Sequence, residues 1–297
     1  MLISFLTAQT QRSKHWVFFI LFLLAMTAGA VAQSNSDNGA QNSDNGAQKD
    51  NDETLEANPA RPTVATPATL TPVGYLQFEN GVQFAADSAE FSSRLGINQV
   101  TKLTVHPRLQ FLVQSEPVVH TGLGPTREFN PGDVLVGFQA VALPGHKKRP
   151  TIALSYFKHV YNGAAPDVDF GTPEHSVLLL ISDDLAGFHF DLNGMFNEQL
   201  EDHVGRAQFG QTISISHPLK KFTLAGELWH FTQPFLHGNA VGNLWAISYQ
   251  VRPNLVVDAG FNRGLTSTST QLEGFAGFTY LLPHRLWPTR NHGSATQ

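Results

Sequence analysis

From Pro72 to Pro283 the chain is a succession of short stretches in which apolar and polar residues alternate one by one, and no long apolar run occurs beyond the N-terminal hydrophobic segment. Between Gly74 and Phe84, Leu76, Phe78, Asn80, Val82 and Phe84 alternate with Tyr75, Gln77, Glu79, Gly81 and Gln83. Phe188, Phe190, Leu192, Gly194 and Phe196 alternate in the same way with His189, Asp191, Asn193, Met195 and Asn197. A period of two specifies strands and excludes amphipathic helices. Strands of roughly 9–11 residues with one oily and one wet face are what a tilted strand needs to cross a bilayer.

Composition narrows the class. Charged residues make up 14% of the chain, against about 25% in ordinary soluble domains. A charge-poor chain without hydrophobic helices has to dispose of its apolar side chains by alternation. The 22 Phe and 25 Gly suit closely packed strands with aromatic surfaces. With no cysteine, a disulfide-stapled fold is excluded. The net charge of −5, with no basic cluster beyond Lys147-Lys148-Arg149, argues against nucleic acid as a partner.

The N-terminus carries an export signal. Arg12, Lys14 and His15 precede the apolar Trp16 to Ala28, and Ala30-Val31-Ala32 supplies the small-x-small pattern, so residues 1–32 are expected to be a signal peptide cleaved after Ala32. An uncleaved inner-membrane anchor is the rival, but the apolar core is near the short limit for a spanning helix. Residues 33–71 are expected to be a disordered periplasmic linker. The heptapeptide Asn35 to Gln41 recurs unchanged as Asn42 to Gln48, acidic residues follow at Asp50, Asp52, Glu53 and Glu56, and Pro59 to Pro72 is rich in Pro and Thr. None of this can build a core. Residues 72–283 form the barrel, and 284–297 a tail.

The expected strands are 73–85, 92–104, 108–117, 133–143, 150–160, 175–182, 187–197, 206–217, 221–231, 241–251, 254–263 and 271–282. Their connections alternate in length. Tight turns fall at Val105 to Pro107, Pro144 to Arg149, Asp183 to Ala186, Pro218 to Lys220 and Arg252-Pro253, and longer loops at 86–91, 118–132, 161–174, 198–205, 232–240 and 264–270. Outer-membrane barrels have short periplasmic turns and longer outer loops. An even strand number returns both barrel termini to the periplasmic end. The expectation is therefore an all-β, antiparallel transmembrane β-barrel of about twelve strands.

Facing supports it. An Arg or Lys at mid-bilayer on the lipid face of a barrel costs about 2–4 kcal/mol. Arg94, Asn98, Lys102 and His106 share one face of their strand and Leu95, Ile97, Leu103 and Val105 the other, while Leu109, Phe111 and Val113 lie opposite Arg108, Gln110 and Gln114. The exceptions are Gln99, Asn80 and Lys158. A secreted β-sandwich alternates too, with its oily face turned inward, and remains the rival architecture.

Gly132 to Phe138, Ile152 to Ser155, Val257 to Leu265 and Gly277 to Tyr280 resemble the outer-membrane transporter family named for the MetA pathway of phenol degradation, over roughly residues 72–283. The resemblance implies a barrel that passes aromatic or other hydrophobic compounds, and brings no catalytic residues. The C-terminus departs from the usual barrel pattern, since Tyr280 is followed by Leu281, Leu282, Pro283 and a tail instead of ending the chain on an aromatic.

The thirteen histidines invite an enzymatic reading. His189 and Asp191 share a strand face, and His159, His175, His203, His217, His230 and His237 fall at strand ends or loops. No His-x-x-x-His pair and no Gly-x-Ser-x-Gly elbow is present. Asp167 and Asp169 are read as loop-solubilising residues and not as a calcium site. No catalytic residue, metal or cofactor is assigned. In a pore, selectivity resides in lumen-lining charges, which selects Glu79, Arg94, Lys102, Arg108, Asp191, Glu227 and Asp258. The expected partners are outer-membrane lipid, a small-molecule solute and, during biogenesis, the barrel assembly machinery, with a monomer favoured. The function expected is passive passage of small hydrophobic or aromatic solutes across a Gram-negative outer membrane. The rivals are a non-transporting surface barrel or secreted sandwich and, third, an outer-membrane hydrolase.

Overall fold

The computed structural model describes residues 55–89, 91–123, 126–146, 149–163, 168, 173–201 and 204–287. The expected signal peptide, the heptapeptide repeats, Asp167, Asp169, His203 and the end of the tail lie outside these residues. The strands are β1 (Leu76–Ala86), β2 (Ser93–His106), β3 (Leu109–Leu123), β4 (Thr126–Asn130), β5 (Val134–Leu143), β6 (Thr151–Tyr161), β7 (Pro173–Leu185), β8 (Phe188–Glu201), β9 (Val204–Leu219), β10 (Phe222–Gln233), β11 (Gly238–Arg252), β12 (Leu255–Gly264) and β13 (Leu272–Leu281).

Every neighbouring pair is antiparallel, and the single sheet closes on itself because β1 pairs with both β2 and β13 while β2 also pairs with β3. β4 pairs only with β3, so twelve of the thirteen strands form the wall. Closure leaves no edge strand in the wall, which is what a sheet in hydrocarbon requires. Both ends of the wall sequence, Leu76 and Leu281, lie at one end of the barrel, here the near end; the far end carries the connections after β1, β3 and β6.

The loop rhythm is partly altered. The expected loop 118–132 is largely a hairpin formed by the extension of β3 and by β4. Most of the expected loop 198–205 is strand, because β8 and β9 pair as far as Glu201 and Val204. At the near end, Ala186 (φ 54°) and Gly187 (φ 82°) make a two-residue turn with both φ positive, the twist-compatible connection for a hairpin.

Polarity is inside-out. Gln77, Glu79, Arg94, Gln110, Gln139 and Gln208 are among the largest fully buried side chains, whereas Phe111 is 49% and Phe278 42% exposed. Phe84, Leu95, Phe138, Leu154, Leu179, Phe209, Leu224, Trp245, Ile247 and Phe261 likewise face outward around the wall. An apolar surface encircling a polar interior belongs to a barrel in acyl chains, and it removes the sandwich reading. Lys158 does lie on the outer face, near the far end of β6, where it pairs with Glu174 at 3.3 Å.

Four inward aromatic rings lie directly across from glycines of the adjacent strand: Phe157 opposite Gly137, Trp229 opposite Gly242, Phe231 opposite Gly210 and Phe275 opposite Gly260. A Cβ at any of these glycines would run into the ring. The bare backbone lets each ring lie flat against the wall instead of projecting into the lumen.

Candidate functional site

The interior is crossed by the chain's own N-terminal segment. Residues 55–71, expected to belong to a disordered linker, instead run through the near half of the barrel. The Ala57 N–H donates to the Pro253 carbonyl in the near-end turn between β11 and β12 (2.9 Å). Asn58 then exchanges hydrogen bonds with the Gln77 side chain of β1, both at 2.8 Å, and the Ala60 N–H donates to Glu79 (3.2 Å). Arg61 turns to Asp258 of β12 at 3.4 Å, its guanidinium lying over Gly81 and Gly277, which pair across β1 and β13.

The segment next crosses the lumen. Both oxygens of Glu227 on β10 accept backbone N–H groups, from Val64 at 2.7 Å and Ala65 at 2.8 Å. Asn193 on β8 brackets Thr66, accepting its N–H and donating to its carbonyl. Ala68 N–H donates to Ser182 on β7 (2.7 Å), Gln139 on β5 donates to the Pro67 carbonyl (3.0 Å), and Thr71 bonds Gln110 on β3. The polar groups of an extended backbone have to be satisfied once out of water. The lumen's carboxylates and amides satisfy them strand by strand. On the apolar sector, Ala68 and Leu70 pack with Leu112, Val141, Ala153, Phe157, Leu178 and Leu180, and Val64 packs with Trp229 and Phe231.

Above this segment is a cavity of about 400 Å³ in the far half of the lumen. Its floor is Ala60 to Val64 with Thr66. One wall is apolar, built by Leu135, Phe157, Leu178, Met195, Trp229 and Leu244. The opposite wall is polar, with Gln83, Arg94, Asn98, Glu116 and Glu273. Arg94 pairs with Glu116, and Glu273 accepts from Gln83 (2.6 Å) and Asn262 (2.7 Å). Asp133 accepts the Gly163 N–H (2.8 Å) and contacts His159 (3.2 Å), tying two far-end connections together beside the cavity.

Six of the seven sequence-selected lumen residues are buried inside: Glu79, Arg94, Lys102, Asp191, Glu227 and Asp258. Arg94 and Glu79 line the cavity. Glu79 also pairs with Lys102 at the level of the lumen segment. Asp191, nearer the near end, accepts from Ser182 and lies 3.3 Å from His189. Arg108 is a correction. It is exposed in the two-residue turn closed by the His106–Leu109 pair, so strand alternation, which would turn it inward, does not apply to it. Sequence reasoning missed Arg61, Gln77, Gln110, Asn193 and Ser182, and the segment they hold. Among the described residues no group of three or more His, Cys, Asp or Glu side chains is arranged to hold a metal ion.

No family model matches the sequence. No curated protein matches it either. Among solved structures, the chain is similar to a KdgM porin in complex with disordered oligogalacturonate, at 11% identity and a TM-score of 0.46 over 69% of this chain and 98% of that one. It is similar to the CymD monoaromatic hydrocarbon channel at 9% identity and a TM-score of 0.41, over 71% of this chain and 88% of that one. The Pseudomonas putida toluene transporter TodX matches at 8% identity and a TM-score of 0.43, over 79% of this chain and 97% of that one. These similarities concern the fold alone.

Proposed function

We propose that the protein is an outer-membrane channel through which small, uncharged, partly apolar solutes pass passively, entering the far-end cavity from outside and leaving past residues 55–71 on the periplasmic side. The observation that carries this reading is the two-sided cavity of about 400 Å³, a size within the range of small-molecule sites. Its Phe157, Met195 and Trp229 surface suits a ring, and Gln83 and Asn98 suit one or two polar substituents. The buried charges nearby pair within the protein, as Arg94 with Glu116, Lys102 with Glu79 and Arg61 with Asp258. Paired charges give an entering ion little to offset its lost hydration.

The segment across the near half favours a second reading, a barrel that binds at its outer mouth without transporting. Uptake separates the two. Vesicles carrying the protein are expected to take up single-ring neutral aromatics faster than empty vesicles and faster than sugars of similar size. Cavity binding without uptake of any solute would leave only the second reading.

A further inference from the structure

The lipid-facing wall carries a polar spot at mid-height. Outward residues on β1 are Leu76, Phe78, Asn80, Val82 and Phe84, and on β2 Leu95, Ile97, Gln99, Thr101 and Leu103. Asn80 thus has Phe78 and Val82 before and after it, and Gln99 follows Leu95 and Ile97 and precedes Thr101 and Leu103. Lateral pairing fixes the height, because strands tilt in a barrel and a row of partners climbs from one end to the other. The row through Asn80 reads Tyr161, Val134, Ser115, Gln99, Asn80, Phe278, Val257, Tyr249. Tyr161 closes β6 at the far end, Tyr249 sits toward the near end of β11, and the two amides stand in the middle.

Gln99 Nε2 donates to Asn80 Oδ1 at 2.8 Å on the exposed surface. That bond consumes one donor and one acceptor, leaving two sets of groups unused: the remaining amide hydrogens of Asn80 and Gln99, and the Gln99 carbonyl oxygen. Acyl chains can satisfy neither, and water is absent at this depth. The unused groups are complementary to themselves under a two-fold rotation: Asn80 Nδ2 of one copy can donate to Gln99 Oε1 of the other, and the reverse, closing a ring of four amides. Val82 (50% exposed) and Ile97 (39% exposed) flank the pair and supply apolar contact around it. Another outward polar stretch, Gln211, His230 and Asn239, climbs to the far strand ends, where headgroups and water are in reach, and so requires no protein partner.

We infer that the β1–β2 face is the interface of a homodimer, with a second copy of this chain seated on Asn80 and Gln99. An isologous contact of this kind closes after two copies. The absence of cysteine allows single reporters to be introduced without background. In membranes holding the full chain, Val82→Cys treated with a short bis-maleimide is expected to give a cross-linked dimer, and Phe196→Cys on the opposite wall is not. Adding Asn80→Val and Gln99→Val to Val82→Cys is expected to weaken the dimer association constant, read from the cross-linked fraction over a series of lipid dilutions, at least about tenfold, the equivalent of about 1.4 kcal/mol, while heat-modifiable migration shows the barrel still folded. Should those valine variants fail to fold, the two single-cysteine proteins decide alone. A monomer with Val82→Cys, a cross-link to a different protein, an equally strong dimer with Phe196→Cys, or a dimer that survives the valine substitutions would each overturn the inference.

Discussion

Glu227 holds the lumen segment in a way a neutral amide cannot copy, since both of its oxygens accept backbone N–H groups. Glu227→Gln has to turn its own NH₂ toward one of them, so a bond to a charged acceptor is lost and a buried donor is left unpaired. The expected loss is about 1–3 kcal/mol of local stability, read as weaker hydrogen-exchange protection at the Val64 and Ala65 amides. Unchanged protection would contradict the assignment. Arg61→Ala strands Asp258, whose side chain is 1% exposed, and is expected to cost about 3–5 kcal/mol in a denaturant titration, with Arg61→Ala plus Asp258→Asn recovering most of it. At this scale the sequence was a good guide wherever a residue lay well inside a strand, because alternation alone assigns the face of Glu79, Lys102 or Asp258. It failed for Arg108, where a turn interrupts the period, and it could not pair Arg61 with Asp258, which the chain brings together from 197 positions apart.

Among the elements, the twelve wall strands were legible because period two persists through each of them, and the connection between β8 and β9 was misread for a physical reason. Charged residues at Glu198, Glu201 and Asp202 look like a loop, yet strands that emerge from the bilayer can continue in water with charged side chains. Residues 55–71 were misjudged through the same composition argument in reverse. Pro, Thr and Ala bring too little apolar surface to form a core, but a ready-made polar lumen supplies partners for their backbone. The glycines opposite aromatic rings belong to this scale as well. A Cβ at Gly242 would fall against the Trp229 ring and within 2.8 Å of the Arg263 carbonyl. Gly242→Val is therefore expected to destabilise the barrel by about 1–3 kcal/mol and, by pushing the indole off the wall, to weaken binding of a single-ring solute, as followed by tryptophan fluorescence. Unaltered stability and binding would show that the ring does not depend on the bare backbone.

For the whole molecule, the apolar outer belt, the closed sheet and the polar interior were all implied by low charge and alternation, whereas the state of the lumen was not. Twelve strands enclose more than the roughly eight whose interiors side chains fill and less than the 16–18 that leave a channel, so occupancy depends on what else enters. Here it is the chain's own segment, and the passage proposed above requires that segment to yield. The most direct test locks it. Ala68 N–H lies 2.7 Å from Ser182 Oγ, so Ala68→Cys with Ser182→Cys can tether the segment to β7 in a chain that has no other cysteine. Solute uptake into vesicles holding this variant is predicted to stay at the background of empty vesicles when the disulfide is formed and to return on reduction; equal uptake in the oxidised and reduced states would contradict passage past residues 55–71.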